Sequence, residues 1–193
     1  MGDPKKQRRK YETPRFPWQP DVLQSELRLI GQYGLRNKKE LWRHKTMLSK
    51  LRSTARLTLG MSETEGEKLK KQLLDRLMRL GVLPETAVLD NVLDLAIEDL
   101  LERRLQSLVF RKGLTKSIHQ ARQLITHGHI AIQSRKVTSP SYLVLRDEEA
   151  QLGYAVKSPM VDPQHPLRQT LVAIPPRNEA TSENVPTQKE RGQ

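Results

Sequence analysis

"KGLTKSIHQARQLITHGHIAI" occupies Lys112–Ile132 and decides how the chain is read. Ser117 and Gln120 have the spacing of a capping box, in which a hydroxyl satisfies a free N–H of the first helical turn. Ile118, Ala121, Leu124 and Ile125 then fall on one face of a helix, and Gly128 is a natural stop. After Gly128 the period changes to two, with Ile130 and Ile132 alternating with Ala131 and Gln133. The stretch therefore predicts a capped helix that runs into a strand.

The polar residues of the same stretch lie off the apolar stripe. His119, Gln120, Arg122, Gln123 and Thr126 occupy the other sides, and Lys116 precedes the helix. The segment before it supplies Arg103, Arg104, Arg111 and Lys112. A helix start offers unpaired N–H groups and the positive end of the helix dipole. Cations around such a start make a phosphate site. A cluster of long donors suits RNA phosphates and 2′-hydroxyls, which carry shape rather than base sequence.

Working outward, Val137, "YLVL" (142–145) and "LGYAV" (152–156) predict short strands of a small antiparallel sheet. Upstream, Leu101, Leu105, Leu108 and Val109 predict a helix near Ile97 to Lys112, ended by Gly113. Further back the signals are all helical. Asp21 can cap a helix with Leu23, Leu27 and Ile30 on one side. Asn37 with Glu40 is a second capping box, opening a stripe of Leu41, Leu48, Leu51 and Ala55 with Arg43, Lys50 and Arg52 off it. Ser62 with Glu65 is another, leading into the core stripe Leu69, Leu73, Leu77 and Leu80, stopped by Gly81; Pro84 then breaks the chain. Ten of the twelve prolines lie in the first twenty and last thirty-six residues, so both ends read as extended. The expected fold class is α+β. Residues 1–20 form an extended basic arm, 21–96 a helical domain, 97–157 a helix–turn–helix and antiparallel-sheet unit, and 158–193 an extended, disordered, proline-rich tail.

The 193 residues carry a net charge of +12 and a pI near 10.1. Lys and Arg exceed Asp and Glu by four in residues 1–20, six in 21–60 and six in 101–157, whereas 61–100 is acidic by four. Two basic blocks flanking an acidic one imply a particular charged surface for a polyanion. No run approaches the roughly 18 apolar residues of a membrane span. The amino terminus lacks the apolar core of a secretory signal. With no cysteine, disulfides and thiolate metal sites are excluded. His119, His127 and His129 lack companions at ligand spacing and read as RNA hydrogen-bonding or surface groups. Asp90, Asp94, Glu98, Asp99 and Glu102 read as a helix face paired with nearby arginines. Trp42 is expected to pack; for Trp18 packing and base stacking both stand.

"LERRLQSLVFRKGLTKSIHQARQLITHGHIAIQSRKVTSPSYLV" (101–144) resembles the RNA-binding domain named after small-subunit ribosomal protein S-four. "LRLIGQYGLRNKKELWRHK" (27–45) resembles the amino-terminal helical part of the archaeal and eukaryotic forms of that family, the eukaryotic counterpart being S-nine. "LDNVLDLAIEDLLERRLQ" resembles the link between the two, and "SPSYLV" and "DPQHPLR" look archaeal. The collinear resemblance covers about residues 2–170.

The resemblance implies RNA contacts from Arg103, Arg104 and Arg111, then from Lys116, Ser117, His119, Arg122 and Gln123. It further implies that the loop after the second helix approaches RNA, here around His127, His129, Arg135 and Lys136. Lys112 and Gln120 complete that set. The basic residues Lys5, Lys6, Arg8, Arg9 and Lys10 of the arm are candidate contacts as well. So are Arg36, Lys38, Lys39, Arg43, Lys45, Arg52 and Arg56 of the helical block. Two positions depart from the family. Gln133-Ser134 stands where many members have Asn-Gly, and neither residue favours the positive φ of a type I′ turn. Ile118 stands where bacterial relatives usually carry Arg, so that contact is lost or passes to Lys116.

The function implied is that of a non-enzymatic structural constituent of the small ribosomal subunit, in cytoplasmic ribosomes. It would bind small-subunit ribosomal RNA at a multi-helix junction beside neighbouring small-subunit ribosomal proteins and help assembly. No cofactor, small-molecule substrate or membrane is expected. The alternatives are an RNA-binding anchor of an RNA-modifying enzyme, which needs a catalytic domain of its own, and a free-standing regulatory RNA-binding protein.

Overall fold

The computed structural model describes residues 9–172, without the side chains of 63–65 and 170–172. Helix α1 (Pro20–Tyr33) leads through Gly34 into α2 (Lys38–Leu59), which packs against α3 (Glu63–Arg79). Short helices α4 (Leu89–Asp94) and α5 (Ile97–Glu102) return across α2. Then come α6 (Leu105–Arg111) and α7 (Ile118–Thr126), followed by β1 (Ile130–Ile132) and β2 (Arg135–Lys136). A single turn, α8 (Arg146–Glu149), precedes β3 (Leu152–Tyr154). A 3-10 turn (Pro159–Val161) and α9 (Pro166–Val172) close the described chain. The sheet has the order β2-β1-β3, all antiparallel, with Ile130 opposite Tyr154 and Ile132 opposite both Leu152 and Arg135. The architecture is the expected α+β.

Apolar spacing explains most of the packing. Leu48, Leu51 and Ala55 of α2 join Leu73, Leu77 and Leu80 of α3 in one core, together with Leu89, Val92, Leu95 and Leu100. Leu105, Leu108 and Val109 of α6 join Ala121, Leu124 and Ile125 of α7 and the sheet residues Ile130, Ile132 and Leu152 in a second. Leu41 and Leu101 meet Tyr33 and Leu35 in a small third cluster between them. Because Leu100 belongs to the first core, α5 packs with the helical block although it lies beyond residue 96.

Five local expectations are corrected by the structure. The helix expected over Ile97–Lys112 is broken at Arg103-Arg104, where the chain turns to meet the segment after residue 141. Val144 N donates to Arg103 O at 3.0 Å and Leu105 N to Tyr142 O at 2.8 Å, so the kink's backbone groups are satisfied. For the same reason residues 142–145 do not enter the sheet; Leu143 pairs only with Arg104, and Leu145 N donates to the Glu148 carboxylate that caps α8. On α1, Leu27 is 53% exposed and the buried positions are Glu26 and Tyr33, so the inward face is turned from the one its leucines suggest. Asp21 does not cap α1; Gln19 precedes it, with Pro20 at its start and Asp21 in its first turn. Finally, the chain beyond residue 157 is not simply extended. Ser158 and Met160 are buried, Met160 in the second core, and α9 follows. The rest of the expected tail, 173–193, and the first eight residues lie outside the described residues.

The turn after β1 is resolved in an unexpected way. Gln133 takes φ 57°, the one positive-φ non-glycine among the described residues, so the two-residue turn forms with a residue that pays for it in strain. Gln133 N donates to Gln151 O at 3.1 Å, which holds the turn against β3.

Candidate nucleic-acid interface

The two halves of the chain meet where α2 and α7 begin. Asn37 caps α2 by accepting from Glu40 N at 3.2 Å, and Ser117 caps α7 by accepting from Gln120 N at 3.2 Å. Gln120 reaches back to Lys116 N at 2.8 Å, but Glu40 turns inward. Its carboxylate accepts from Arg104 Nη2 at 2.7 Å and from Arg122 Nη2 at 2.7 Å. Buried Gln106 donates to Gly34 O and Ile118 O, both at 3.0 Å, and accepts from Arg122 at 3.3 Å. Gly34 is left-handed at φ 58°, and a Cβ there would lie 2.8 Å from Ile118 Cγ2. This close approach seats the start of α7 on the α1–α2 turn, which explains an apolar residue at Ile118.

Electrostatics at this junction follow burial and pairing. Burial alone would raise the Glu40 carboxyl, but hydrogen bonds from Arg122 and Arg104 outweigh it and hold the group below its ordinary range. Burial lowers Arg104, with Glu40 opposing. Burial, reinforced by Arg104, pushes His44 down to about 4, so the imidazole is neutral near pH 7. A second inward carboxylate, Glu26, is fully buried and accepts from Lys45 at 2.8 Å and Trp42 Nε1 at 3.0 Å, with Lys38 at 3.3 Å. Trp42 thus packs and hydrogen-bonds, whereas Trp18 is 84% exposed.

The expected phosphate site is therefore partly filled by the chain's own acids. Arg104 is 1% exposed beneath Glu40, too deep to touch a phosphate. Arg103 lies across Gly81 at the end of α3, donating to Glu149 at 2.6 Å and to Val144 O at 3.1 Å. Arg111 pairs with Glu102 at 2.5 Å, and Lys112 donates to Glu149 O. Arg122 keeps a half-buried side chain on Glu40, Lys38 and Lys45 serve Glu26, and Arg52 donates to Leu95 O at 2.6 Å. These cations fasten helix to helix. Asp99, by contrast, acts locally, accepting from Ala96 N at 2.8 Å to cap α5.

Arg111 and Lys112 are themselves exposed, but the cations that stay exposed outside these pairings are a subset. Arg36, Lys39 and Arg43 flank Glu40 on the α2 side, and Lys116, Ser117, His119 and Gln123 flank Arg122 on the α7 side. Arg56 is exposed farther along α2, and Arg9 and Lys10 on the arm; Lys5, Lys6 and Arg8 lie outside the described residues. At the other end of α7, Lys136 lies over Gly128, where a cation faces the negative end of the helix dipole, with Arg135 exposed beside it. His127 stacks on His129 at 6.4 Å, and His129 Nδ1 is 2.9 Å from Ser158 Oγ. No group of three metal-capable side chains gathers among the described residues, and no described helix is long and apolar enough to cross a membrane. The residue that sequence reading missed is Glu40. Its capping-box spacing signalled only a local role, and nothing local pairs it with arginines 64 and 82 residues away.

A family model described as "S4 domain" matches residues 103–149, from the kink through α8. A protein of Ignicoccus hospitalis, named small ribosomal subunit protein uS4, is 54% identical over 82% of this chain and 96% of its own length. Proteins of the same name from Hyperthermus butylicus and Methanothermobacter thermautotrophicus are 54% and 48% identical, over 82% and 83% of this chain and 90% and 94% of theirs. The chain belongs to the small ribosomal subunit protein uS4 family. That membership covers the helical block as well as the S4 domain, and it sets the chain among ribosomal proteins rather than RNA-modifying enzymes. Within this uS4 family member, the S4 match begins at Arg103, where the backbone leaves the helical core.

Proposed function

We propose that the chain is a structural RNA-binding constituent of the small ribosomal subunit. It holds small-subunit ribosomal RNA at a multi-helix junction, next to other small-subunit proteins in cytoplasmic ribosomes, and helps that junction fold. The observation that supports this most is the exposed basic surface where α2 and α7 start, formed by Arg36, Lys39, Arg43 and Lys116, with His119 beside them, around the Glu40 pairs. Such a surface is electrostatically fitted to converging RNA backbones, where phosphate repulsion is greatest. Its cations stay available because Glu40 engages only the two inner arginines. Phosphate contacts of this kind position the protein without reading bases.

Chemical footprinting of purified small-subunit ribosomal RNA, with and without the full chain, tests the reading. Protection should cluster where several helices meet, and affinity should fall steeply with salt. A flat salt titration, or protection confined to a single hairpin, contradicts it.

A further inference from the structure

Lys39, Arg43 and Lys50 recur on α2 at spacings of four and seven, so they share one face of the helix. That face runs from the junction at Glu40 toward a groove of about 890 Å³ between α2, α3, the amino-terminal arm and the loop at Ser141–Leu143. Five exposed cations line the groove, Arg9, Lys10, Arg43, Lys50 and Arg76. No carboxylate lines it among the described residues, and Asp75 opens onto the neighbouring hollow instead. Gln72 and Ser141 add neutral hydrogen-bonding groups. The arm is fixed at this edge. Glu12 N donates to Thr46 Oγ1 at 2.9 Å, Tyr11 lies 6.0 Å from the Trp42 ring, and Arg9 sits 4.4 Å over Tyr11.

This arrangement contrasts with the ion-paired cations that fasten the helices. There Glu40 neutralises Arg104 and Arg122, Glu26 neutralises Lys38 and Lys45, and Glu149 neutralises Arg103. In the groove, residues from three separate segments, the arm, α2 and α3, bring like charges together with no carboxylate in the lining among the described residues. Mutual repulsion opposes that gathering unless a polyanion relieves it. The groove is also far larger than one small anion needs, and Lys39 to Lys50 spans roughly 16 Å of helix at about 1.5 Å per residue.

We propose that the groove holds one strand of RNA by its sugar–phosphate backbone, as the continuation along α2 of the surface at the start of α7. The inference rests on the RNA-binding function proposed above and adds Lys50, Arg76, Gln72 and Ser141 to it. The groove grips charge and shape, so its contribution is insensitive to base sequence.

The test uses the full chain and small-subunit ribosomal RNA. The double variant Lys50→Ala/Arg76→Ala should bind with a log–log salt slope shallower by roughly 1.4–1.8, two contacts at about 0.7–0.9 each. The control Lys70→Ala/Lys71→Ala, exposed on α3 away from the groove, should keep the wild-type slope. Because the chain has no cysteine, Gln72→Cys gives a single thiol for a photocrosslinker, which should capture RNA in the assembled subunit. A wild-type chain that ignores the RNA overturns the function itself. A wild-type chain that binds steeply, with the groove double variant matching it and the Gln72 adduct falling on protein or nothing, overturns the groove alone.

Discussion

Arg104, 1% exposed, places Nη2 2.7 Å from Glu40 Oε2 across 64 residues of sequence, and so ties the residue that precedes α6 to the first turn of α2. Breaking a buried pair by removing one partner leaves an uncompensated charge. Glu40→Gln should therefore destabilise the protein by about 3–5 kcal/mol, measured by urea unfolding. A loss below about 1 kcal/mol would mean that the pair is replaceable by solvent.

Acid should destabilise the chain in two stages. His44 is lowered from 6.5 to about 4, so the unfolded chain binds its proton first, and stability falls as pH drops from about 6.5 toward 4. Glu26 and Glu40 are held below the ordinary 4.5 by their cationic partners despite burial, so their contribution is complete above 4.5 and is lost as pH falls through their folded values. Replacing His44 with Gln should flatten the upper stage only. An unchanged pH profile of melting temperature in that variant removes His44 from the account.

Gln133 occupies the left-handed region at φ 57°. Asparagine tolerates that conformation better, so Gln133→Asn should stabilise the protein by a few tenths to about 1 kcal/mol. Thermal unfolding of the two proteins side by side measures it. A lower melting temperature for the variant would contradict the strain.

Gly34→Ala should be costly at the junction itself. The added Cβ would lie 2.8 Å from both Gln106 Nε2 and Ile118 Cγ2, in a backbone conformation that alanine resists. A loss of more than about 1 kcal/mol is expected, with earlier hydrogen exchange at Gln106 and Ile118 than at the α2–α3 core. Uniform exchange across the chain would place the weakness elsewhere.

For RNA, Lys116→Ala is the clean probe of the α7 surface. It should reduce the salt slope by about 0.7–0.9 while leaving circular dichroism and stability unchanged. Arg122→Ala differs, because Arg122 also holds Glu40; it should lower stability as well as affinity. Equal stability of the Arg122→Ala and wild-type proteins would show that its ion pair is idle.

The sequence by itself determined the elements that depend on neighbours along the chain. The apolar stripe of α2, the Ser117 cap and Gly128 stop of α7, and the two-residue alternation of β1 all follow from local spacing, since side-chain direction repeats every 3.6 or two residues. Family resemblance, carried by runs such as 101–144, was legible for the same reason. Tertiary structure alone decided which cations face solvent. Arg103 and Arg104 look like exposed donors beside Lys112 and Lys116, yet Glu149 and Glu40 claim them from 46 and 64 residues away. Contacts between distant segments likewise broke the helix at residue 103 and drew residues 142–145 out of the sheet, and Trp42, Lys45 and Lys38 of α2 turned Glu26 inward on α1. A charge's fate depends on the solvent and counter-charge around it in space, and that neighbourhood exists only once distant segments have packed.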